Sequence, residues 1–470
     1  MDSLSVDVAV VGAGTAGIAA YRAATAGGKR AVLIENGPYG TTCARVGCMP
    51  SKLLIAAAEA AHGPAKWNAF GLHLDGTVRI DGRAVMDRVK RERDRFVGFV
   101  LGGIDAMPAA DRIRGRARFI DDRTIAVDEH TTIAFRSAVI ATGSAPAIAP
   151  ALRSVGDRLI VNDDVFEWND LPRSIAIFGP GVIGLELGQA LHRLGVRVLL
   201  FGRSGHVGHF SDSAIRSYAA RAFAAELPLD AALEVRSIEQ TGDVVMLRYR
   251  GSDGDERTES VDYVIAATGR APNVRGLGLD RTTLALDATG VPVFDRHTMQ
   301  CGTHPIFIAG DASDDRPVLH EASDEGRIAG TNAARFPDLA PALRRTPLAI
   351  VFTDPQLAIA GARHIDLVPG SFVTGAVSFE SQGRSRMMLR NVGLLHLYAD
   401  IATGRIAGAE MIGPDAEHLA HLIAWAIQSE LTVAKALEMP FYHPVIEEGL
   451  RTALRDAKLK LDATGVRAAA

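Results

Sequence analysis

Two stretches of the chain carry the same succession of apolar runs, glycines and apolar positions at three-to-four spacing. Val6–Glu35 reads VDVAVVGAGTAGIAAYRAATAGGKRAVLIE, and Arg173–Arg203 reads RSIAIFGPGVIGLELGQALHRLGVRVLLFGR. In each, a β-type run, a glycine-rich turn, a helical stretch and a second β-type run predict a βαβ unit. A further echo follows each copy, AVIATGSAP at 138–146 and VIAATGRAP at 264–272. Residues 276–345 return to short strands and a glycine–aspartate turn, IFIAGDAS at 306–313. Residues 346–470 carry strands (LLHLYAD, RIAGAEMIG) and amphipathic helices such as His418–Ser429, with no glycine-rich turn. A stretch near Met86–Leu101, rich in Arg and Asp on one face, reads as a solvated helix surface.

Composition narrows the class. With 47% hydrophobic and 23% charged residues, the 470-residue chain is globular and of about three domains' length. Gly accounts for 47 residues, an excess without a Gly-X-Y period, so it marks tight turns and close backbone approaches. A net charge of -4 gives no basic surface for nucleic acid or an anionic membrane. Three cysteines cannot form a disulfide scaffold, which points to a reducing compartment. No apolar run approaches the ~18 residues of a membrane span. The stretch Val8 to Ala20 is glycine-studded and follows Asp2 and Asp7 rather than a basic leader, unlike a signal peptide. A cytoplasmic protein is expected.

The glycine turns carry the first chemistry. Gly12, Gly14 and Gly17 form G-x-G-x-x-G between a strand and a helix. The first glycine allows the turn, the second lets a pyrophosphate reach the backbone, and the third allows close helix–strand packing. The phosphate then meets the positive end of the helix dipole. Glu35 ends the second strand, where a carboxylate can hold ribose hydroxyls. Gly179, Gly181 and Gly184 repeat the motif, but Gly202, followed by Arg203, stands where the carboxylate would be. The fold class is therefore α/β, with two Rossmann-like dinucleotide-binding domains and a C-terminal α+β domain. The boundaries fall at 1–150, 151–275, 276–345 (a return to the first domain) and 346–470. Two dinucleotide sites in one chain imply a relay between one bound and one exchanging cofactor.

Gly40–Lys52, GTTCARVGCMPSK, places Cys43 and Cys48 five residues apart. In a regular helix their Cα atoms would lie ~8–9 Å apart, beyond the ~7 Å disulfide limit. A bridge requires a distorted turn, which Gly47 permits. A loop this small adds little stability, so its use would be redox. The alternatives are two buried, inert thiols or, more weakly, zinc without a matching Cys or His pair. Cys301 stands alone and reads as a small buried hydrophobe. Phe441–Glu448, FYHPVIEE, sets His443 near a helix start with carboxylates about one turn on, the arrangement of a general acid–base for a thiol.

Together these residues resemble the flavoprotein disulfide reductases, the pyridine nucleotide-disulfide oxidoreductase family, over essentially the whole chain. The resemblance implies FAD in the first domain, NAD(P) in the second, and a C-terminal dimerisation domain. By its motifs, Cys43 is the interchange thiol and Cys48 the charge-transfer thiol against the flavin. Lys52 lies near the flavin and pairs with Glu186. Gly310 and Asp311 form the second FAD motif, with Asp311 on the ribityl hydroxyls, and Gly115 lies on the adenine side. Thr42, Thr142, Gly143, Leu319 and His320 join Gly12, Gly14, Gly17 and Glu35 around FAD. Val182, Ile183, Glu186 and Gly269 join the second glycine turn, Gly202 and Arg203 around NAD(P). His443 and Glu448 match the pair that reaches the disulfide of the other subunit, so a homodimer with a shared active site is implied.

QGRSRMM (382–388), FTDPQ (352–356) and GAEMIG (408–413) look most like dihydrolipoamide dehydrogenase, and no extra C-terminal cysteine pair stands where mercuric reductases carry one. Thr41-Thr42 stands where Gly-Thr is commoner. The implied reaction is oxidation of a dithiol, dihydrolipoamide or another small one, with reduction of NAD(P)+ through FAD. A lipoyl domain of a 2-oxoacid dehydrogenase complex is a candidate partner. An NADPH-dependent reductase of a small disulfide such as glutathione, and a low-turnover FAD-binding redox sensor, are the alternatives.

An acid at position 202 would repel the 2′-phosphate of NADP, and Arg203 can pair with it, with His206 and His209 nearby as further donors. Wild-type kcat/KM should accordingly favour NADH over NADPH by no more than about tenfold, or favour NADPH. A larger NADH preference in the diaphorase direction would refute this expectation.

Overall fold

A computed structural model describes residues 2–465; the alanines ending the 346–470 segment lie outside the described residues. The chain forms two compact α/β units. The first comprises Met1–Pro50, Arg88–Ala147 and Gly269–Arg344, and the second Ser51–Asp87, Ile148–Thr268 and Arg345–Ala470.

The first unit is built on a seven-stranded sheet. Strand Asp2–Val11 runs parallel to Ala31–Glu35 on one side, with Val8 opposite Ala31, and to Thr131–Ile140 on the other, with Val8 opposite Ser137. Arg112–Arg114 extends the sheet beyond Ala31–Glu35, and Ile306–Ile308 runs parallel to Thr131–Ile140. Ala117–Asp121 and Thr124–Val127 form an antiparallel meander into Thr131–Ile140. The continuous apolar run Val8–Val11 reflects burial on both faces, as parallel sheets require. On one face Tyr21, Ile104 and Phe307 pack together; on the other, Phe119, Ile125, Ile133 and Phe135 enclose Cys301. Burial pushes the Cys301 thiol well above the usual range, so it is the inert hydrophobe expected.

Helix Thr15–Ala26 lies against a helix the sequence pattern did not reveal, Leu319–Arg335. Their backbones meet because Gly326 and Gly330 of the second helix face Ala16 and Ala20 of the first. A Cβ on either glycine would penetrate the facing carbonyl oxygen. The echo strands also meet: Ser144–Pro146 pairs antiparallel with Arg270–Pro272, with Ala271 opposite Ala145.

The second unit contains a parallel five-stranded sheet centred on Ser174–Phe178, flanked by Arg197–Phe201 and Tyr263–Ala266. A three-stranded antiparallel sheet spans Glu234–Thr241, Val244–Arg250 and Glu256–Val261. The C-terminal strands Leu348–Val351, Gln356–Gly361, Ile406–Gly413, Leu394–Asp400 and Phe372–Ser378 form an antiparallel sheet in that order. Its core is completed by Leu419 and Ile423 of helix Ala416–Gln428 and by Leu450 and Leu454 of helix Glu448–Ala463. The helix over Met86–Leu101 is longer than read, Gly82–Asp105, and it buries Met86, Val89 and Ile104. No helix among the described residues is long and apolar enough to cross a membrane.

Gly330→Ala should destabilise the protein by about 1–3 kcal/mol, the range for inserting a methyl into a filled core. Gly98, on the exposed face of helix Gly82–Asp105, has nothing within 4 Å of its Cβ position. Gly98→Ala should therefore stabilise by about 0.5–1 kcal/mol. Thermal unfolding of both variants checks the contrast.

Candidate functional site

In the first unit, strand Asp2–Val11 ends at Gly12, whose φ of 105° turns the chain into helix Thr15–Ala26. Its amide donates to the Ile34 carbonyl at 2.8 Å. Gly17 sits on the Gly12 carbonyl so closely that a Cβ would overlap it, whereas nothing lies within 4 Å of a Cβ on Gly14. Gly14 caps the helix without a side-chain hydrogen bond, so the first-turn amides can receive an anion. Glu35 works on the loop itself: its carboxylate accepts from the Ala13 amide and the Gly37 amide, each at 2.7 Å.

Thr142 carries a buried hydroxyl with no hydrogen-bond partner among the described residues, and Gly143 next to it has φ 68°. Ser144 donates to Asp311 Oδ2 at 2.6 Å and accepts from Arg270 Nε at 2.8 Å. Sequence reasoning overlooked this pair, although Ser144 and Arg270 are the residues by which the two TG-x-AP echoes differ. Gly310 is held by Glu325, whose carboxylate accepts the Gly310 amide at 2.8 Å and pairs with Arg344 at 2.7 Å. Gly115 has φ 138°, and its amide donates to the Glu35 carbonyl at 3.0 Å. Leu319 and His320 are exposed on the first turn of helix Leu319–Arg335. The open Gly14 face, the uncapped helix and the orphaned Thr142 hydroxyl fit a pyrophosphate-bearing dinucleotide.

The cysteine segment belongs to the same unit. Thr41 caps helix Thr42–Val46, its hydroxyl accepting from the Ala44 amide at 3.3 Å, with φ at 60°. The helix stops at Gly47, with φ -128° and ψ -118°, and a new helix, Cys48–His62, starts at the next residue. Cys43 is half-buried and Cys48 exposed. The distortion that a five-residue bridge needs is therefore present at Gly47. Cys48 stands at a helix N-terminus, where the dipole favours a thiolate.

The second unit holds the second turn. Gly179, φ 114°, donates to the Phe201 carbonyl at 2.8 Å, and Gly184 sits on the Gly179 carbonyl. Gly181 caps helix Val182–Arg193 without a side-chain bond, and Val182 and Ile183 open that helix. Gly202 is a packing glycine: a Cβ would lie 2.8 Å from the Ala231 carbonyl oxygen and 2.9 Å from Pro180 Cγ. An acid there would displace the turn, so Gly202→Glu cannot serve as a clean probe of nucleotide preference. Arg203 is exposed. Gly269 belongs to the first unit, where its carbonyl accepts the Ala147 amide at 2.9 Å.

Also in the second unit, Lys52 Nζ pairs with Glu186 at 2.7 Å, as the resemblance implied. Glu186 additionally accepts the Phe352 amide at 2.9 Å, and the ammonium lies 4.7 Å from the centre of the Phe352 ring. His443 Nδ1 lies 2.9 Å from Glu448 Oε2, and Arg451 holds the other oxygen at 2.7 Å. Glu448, rather than His443, starts the helix. Desolvation opposes ionisation of Glu448, but the His443 hydrogen bond, the Val445 amide and Arg451 together hold it below the usual carboxylate range. With Nδ1 facing Glu448, Nε2 of the 78%-exposed His443 is the ring nitrogen left open. No group of three or more His, Cys, Asp or Glu among the described residues could hold a metal ion.

Comparison with known proteins shows the family of the chain. Residues 6–326 match the family profile described as pyridine nucleotide-disulphide oxidoreductase, and residues 348–454 match that family's dimerisation domain. A mercuric reductase of Shigella flexneri is 31% identical over 95% of this chain and 80% of its own length. A dihydrolipoyl dehydrogenase of Halobacterium salinarum is 30% identical over 97% of both chains. Among solved structures, LpdA from Mycobacterium tuberculosis superposes with a TM-score of 0.81 at 24% identity, covering 97% of this chain and 99% of its own. The HOCl-induced flavoprotein disulfide reductase RclA from Escherichia coli gives 0.77 at 21%, covering 96% and 99%.

One titration follows from the Gly310 bracing. Burial pushes Glu325 up to about 7, against the ordinary 4.5, despite Arg344 and the Gly310 amide pulling the other way. A raised carboxyl stabilises the folded state fully below the unfolded value, and that contribution is lost as pH rises through the folded value. The melting temperature of the wild type should therefore fall relative to Glu325→Gln between about pH 5 and about pH 8. Parallel curves would refute the assignment.

Proposed function

Because the chain belongs to the pyridine nucleotide-disulphide oxidoreductase family, which is FAD-dependent with NAD(P) as electron acceptor, we propose that it oxidises a small dithiol of the dihydrolipoamide type. The observation that carries this reading is the helix break at Gly47, which sets Cys43 and Cys48 on either side of a distorted turn. The full-length correspondence with dihydrolipoyl dehydrogenases supports the substrate class.

The first glycine turn, Glu35, Thr142, Gly310 and Asp311 would hold FAD, and the turn at Gly179–Gly184 would hold NAD(P). His443 Nε2 takes the proton of one substrate thiol while Glu448 stabilises the imidazolium. The substrate thiolate attacks the Cys43 sulfur of the Cys43–Cys48 disulfide, so a mixed disulfide forms and Cys48 leaves as thiolate. The second substrate thiol, its proton passing to solvent, attacks the substrate sulfur of the mixed disulfide. Cys43 departs with the proton carried by His443, and the substrate leaves as a disulfide. FAD, when bound, would accept the two electrons released as the Cys43–Cys48 disulfide re-forms and would pass them to NAD(P)+. The dimerisation-domain match indicates a homodimer; in this reading His443 and Glu448 serve the disulfide of the other subunit.

Anaerobic addition of one equivalent of dithiol should produce a long-wavelength thiolate–flavin band. Cys48→Ser should abolish it, and Cys43→Ser should show it without reductant; spectra unchanged by both substitutions would refute the relay. His443→Gln should slow dithiol oxidation by about 10²–10⁴, the range for a positioned acid–base, with flavin reduction by NAD(P)H much less affected. Turnover with dihydrolipoamide, glutathione disulfide and mercuric ion in parallel tests the substrate class, and dihydrolipoamide should be the fastest.

A further inference from the structure

The two glycine turns are built alike, yet they differ at the position where a pyrophosphate must approach. The second glycine of such a turn lacks a Cβ because the ligand takes that space. At Gly14 the space is open, with nothing within 4 Å. At Gly181 it faces an imidazole: His209 Nε2 lies 3.5 Å and Cε1 3.9 Å from the Cβ position.

The placement of His209 is built into the chain. The Gly208 amide donates to the Pro180 carbonyl at 2.9 Å, with Gly208 at φ 71°. Gly202, at the other end of the same loop, packs on the Pro180 ring. Residues 202–209 are thereby tied at two points to the residue between the first two glycines, and the ring is delivered over the second of them, Gly181. We propose that His209 is a side-chain lid on the pyrophosphate subsite of the second turn, a ring that must rotate away before a nicotinamide dinucleotide can seat on Gly181. His209 is exposed to solvent, yet desolvation by the surrounding chain and the Arg363 guanidinium push its pKa below the usual histidine value. A neutral imidazole has little attraction for a phosphate, so the ring acts by occupying space. The lid makes the nucleotide's phosphates, rather than its adenine, sense the loop.

This inference rests on reading the second turn as the NAD(P) site, and the test separates the two. ADP-ribose carries the pyrophosphate without the redox-active ring, and AMP lacks the pyrophosphate. Binding of both to the FAD-loaded protein can be followed by titration calorimetry. His209→Ala should tighten ADP-ribose binding by about threefold to tenfold, the scale of moving one side chain from its preferred rotamer. Its affinity for AMP should not change. ADP-ribose binding that is unchanged or weaker in His209→Ala overturns the lid, weaker binding marking His209 as a phosphate ligand instead. Gly181→Val should abolish ADP-ribose binding; retention would overturn the site assignment and the lid with it.

Discussion

Backbone lying directly on backbone is the constraint from which the first unit's geometry follows. Ala16, one residue inside the first helix, is touched on two sides: a Cβ on Gly310 would come within 2.9 Å of its side chain, and Gly326 faces its carbonyl. Gly17, its neighbour, rests on the Gly12 carbonyl. The helix whose first-turn amides have no side-chain cap is thus fixed between the strand it leaves and helix Leu319–Arg335. No side chain is available to adjust these contacts, so the position of the turn is set by covalent geometry rather than by rotamers. The same approach recurs at Gly179 and Gly184, where the second unit repeats the device.

Around these turns the chemistry is distributed by element ends. Cys48 and Glu448 each open a helix, while Gly14 and Gly181 each precede one. Thr41 is the exception to economy. A β-branched residue at φ 60° stands where a glycine is commoner, a conformation costing about 1–3 kcal/mol. Its hydroxyl recovers part of this by capping the cysteine helix. The strained residue thus lies two positions before Cys43, at the N-terminus of the segment that carries Cys43 and Cys48.

Much of this was legible in the sequence because the relevant signals are periodic or local. The two βαβ units, the glycine turns, the Lys52–Glu186 pair and the His443–Glu448 pair stand in the structure where pattern and resemblance put them. What escaped was decided by burial across long sequence separations. Glu325 lies fully buried in a helix whose polar sequence, LHEASDEGRIAGTNAAR, suggests solvent rather than a core. Glu410 is likewise fully buried in the strand GAEMIG, where it accepts the amides of Ser211, Asp212 and His364 at 2.8, 3.0 and 2.9 Å. A carboxylate that collects amides from distant loops has no sequence periodicity to announce it. The packing role of Gly202 was hidden for a similar reason, since its neighbours are Ala231 and Pro180 rather than anything adjacent in the chain.

The pairing of Ser144–Pro146 with Arg270–Pro272 has a consequence for how such a chain can be assembled or re-engineered. The first unit releases the chain at Ala147 and takes it back at Gly269, two residues joined by a hydrogen bond of 2.9 Å. Everything between them leaves and returns through one doorway no wider than a hairpin. A guest segment with coincident ends imposes almost no loop-closure demand on its host, whatever its length. The 148–268 stretch is nonetheless no free cassette: Glu186 holds Lys52 and the Phe352 amide, and Ser211 and Asp212 donate to Glu410, so any exchange has to carry residues 51–87 and 345–470 along with it.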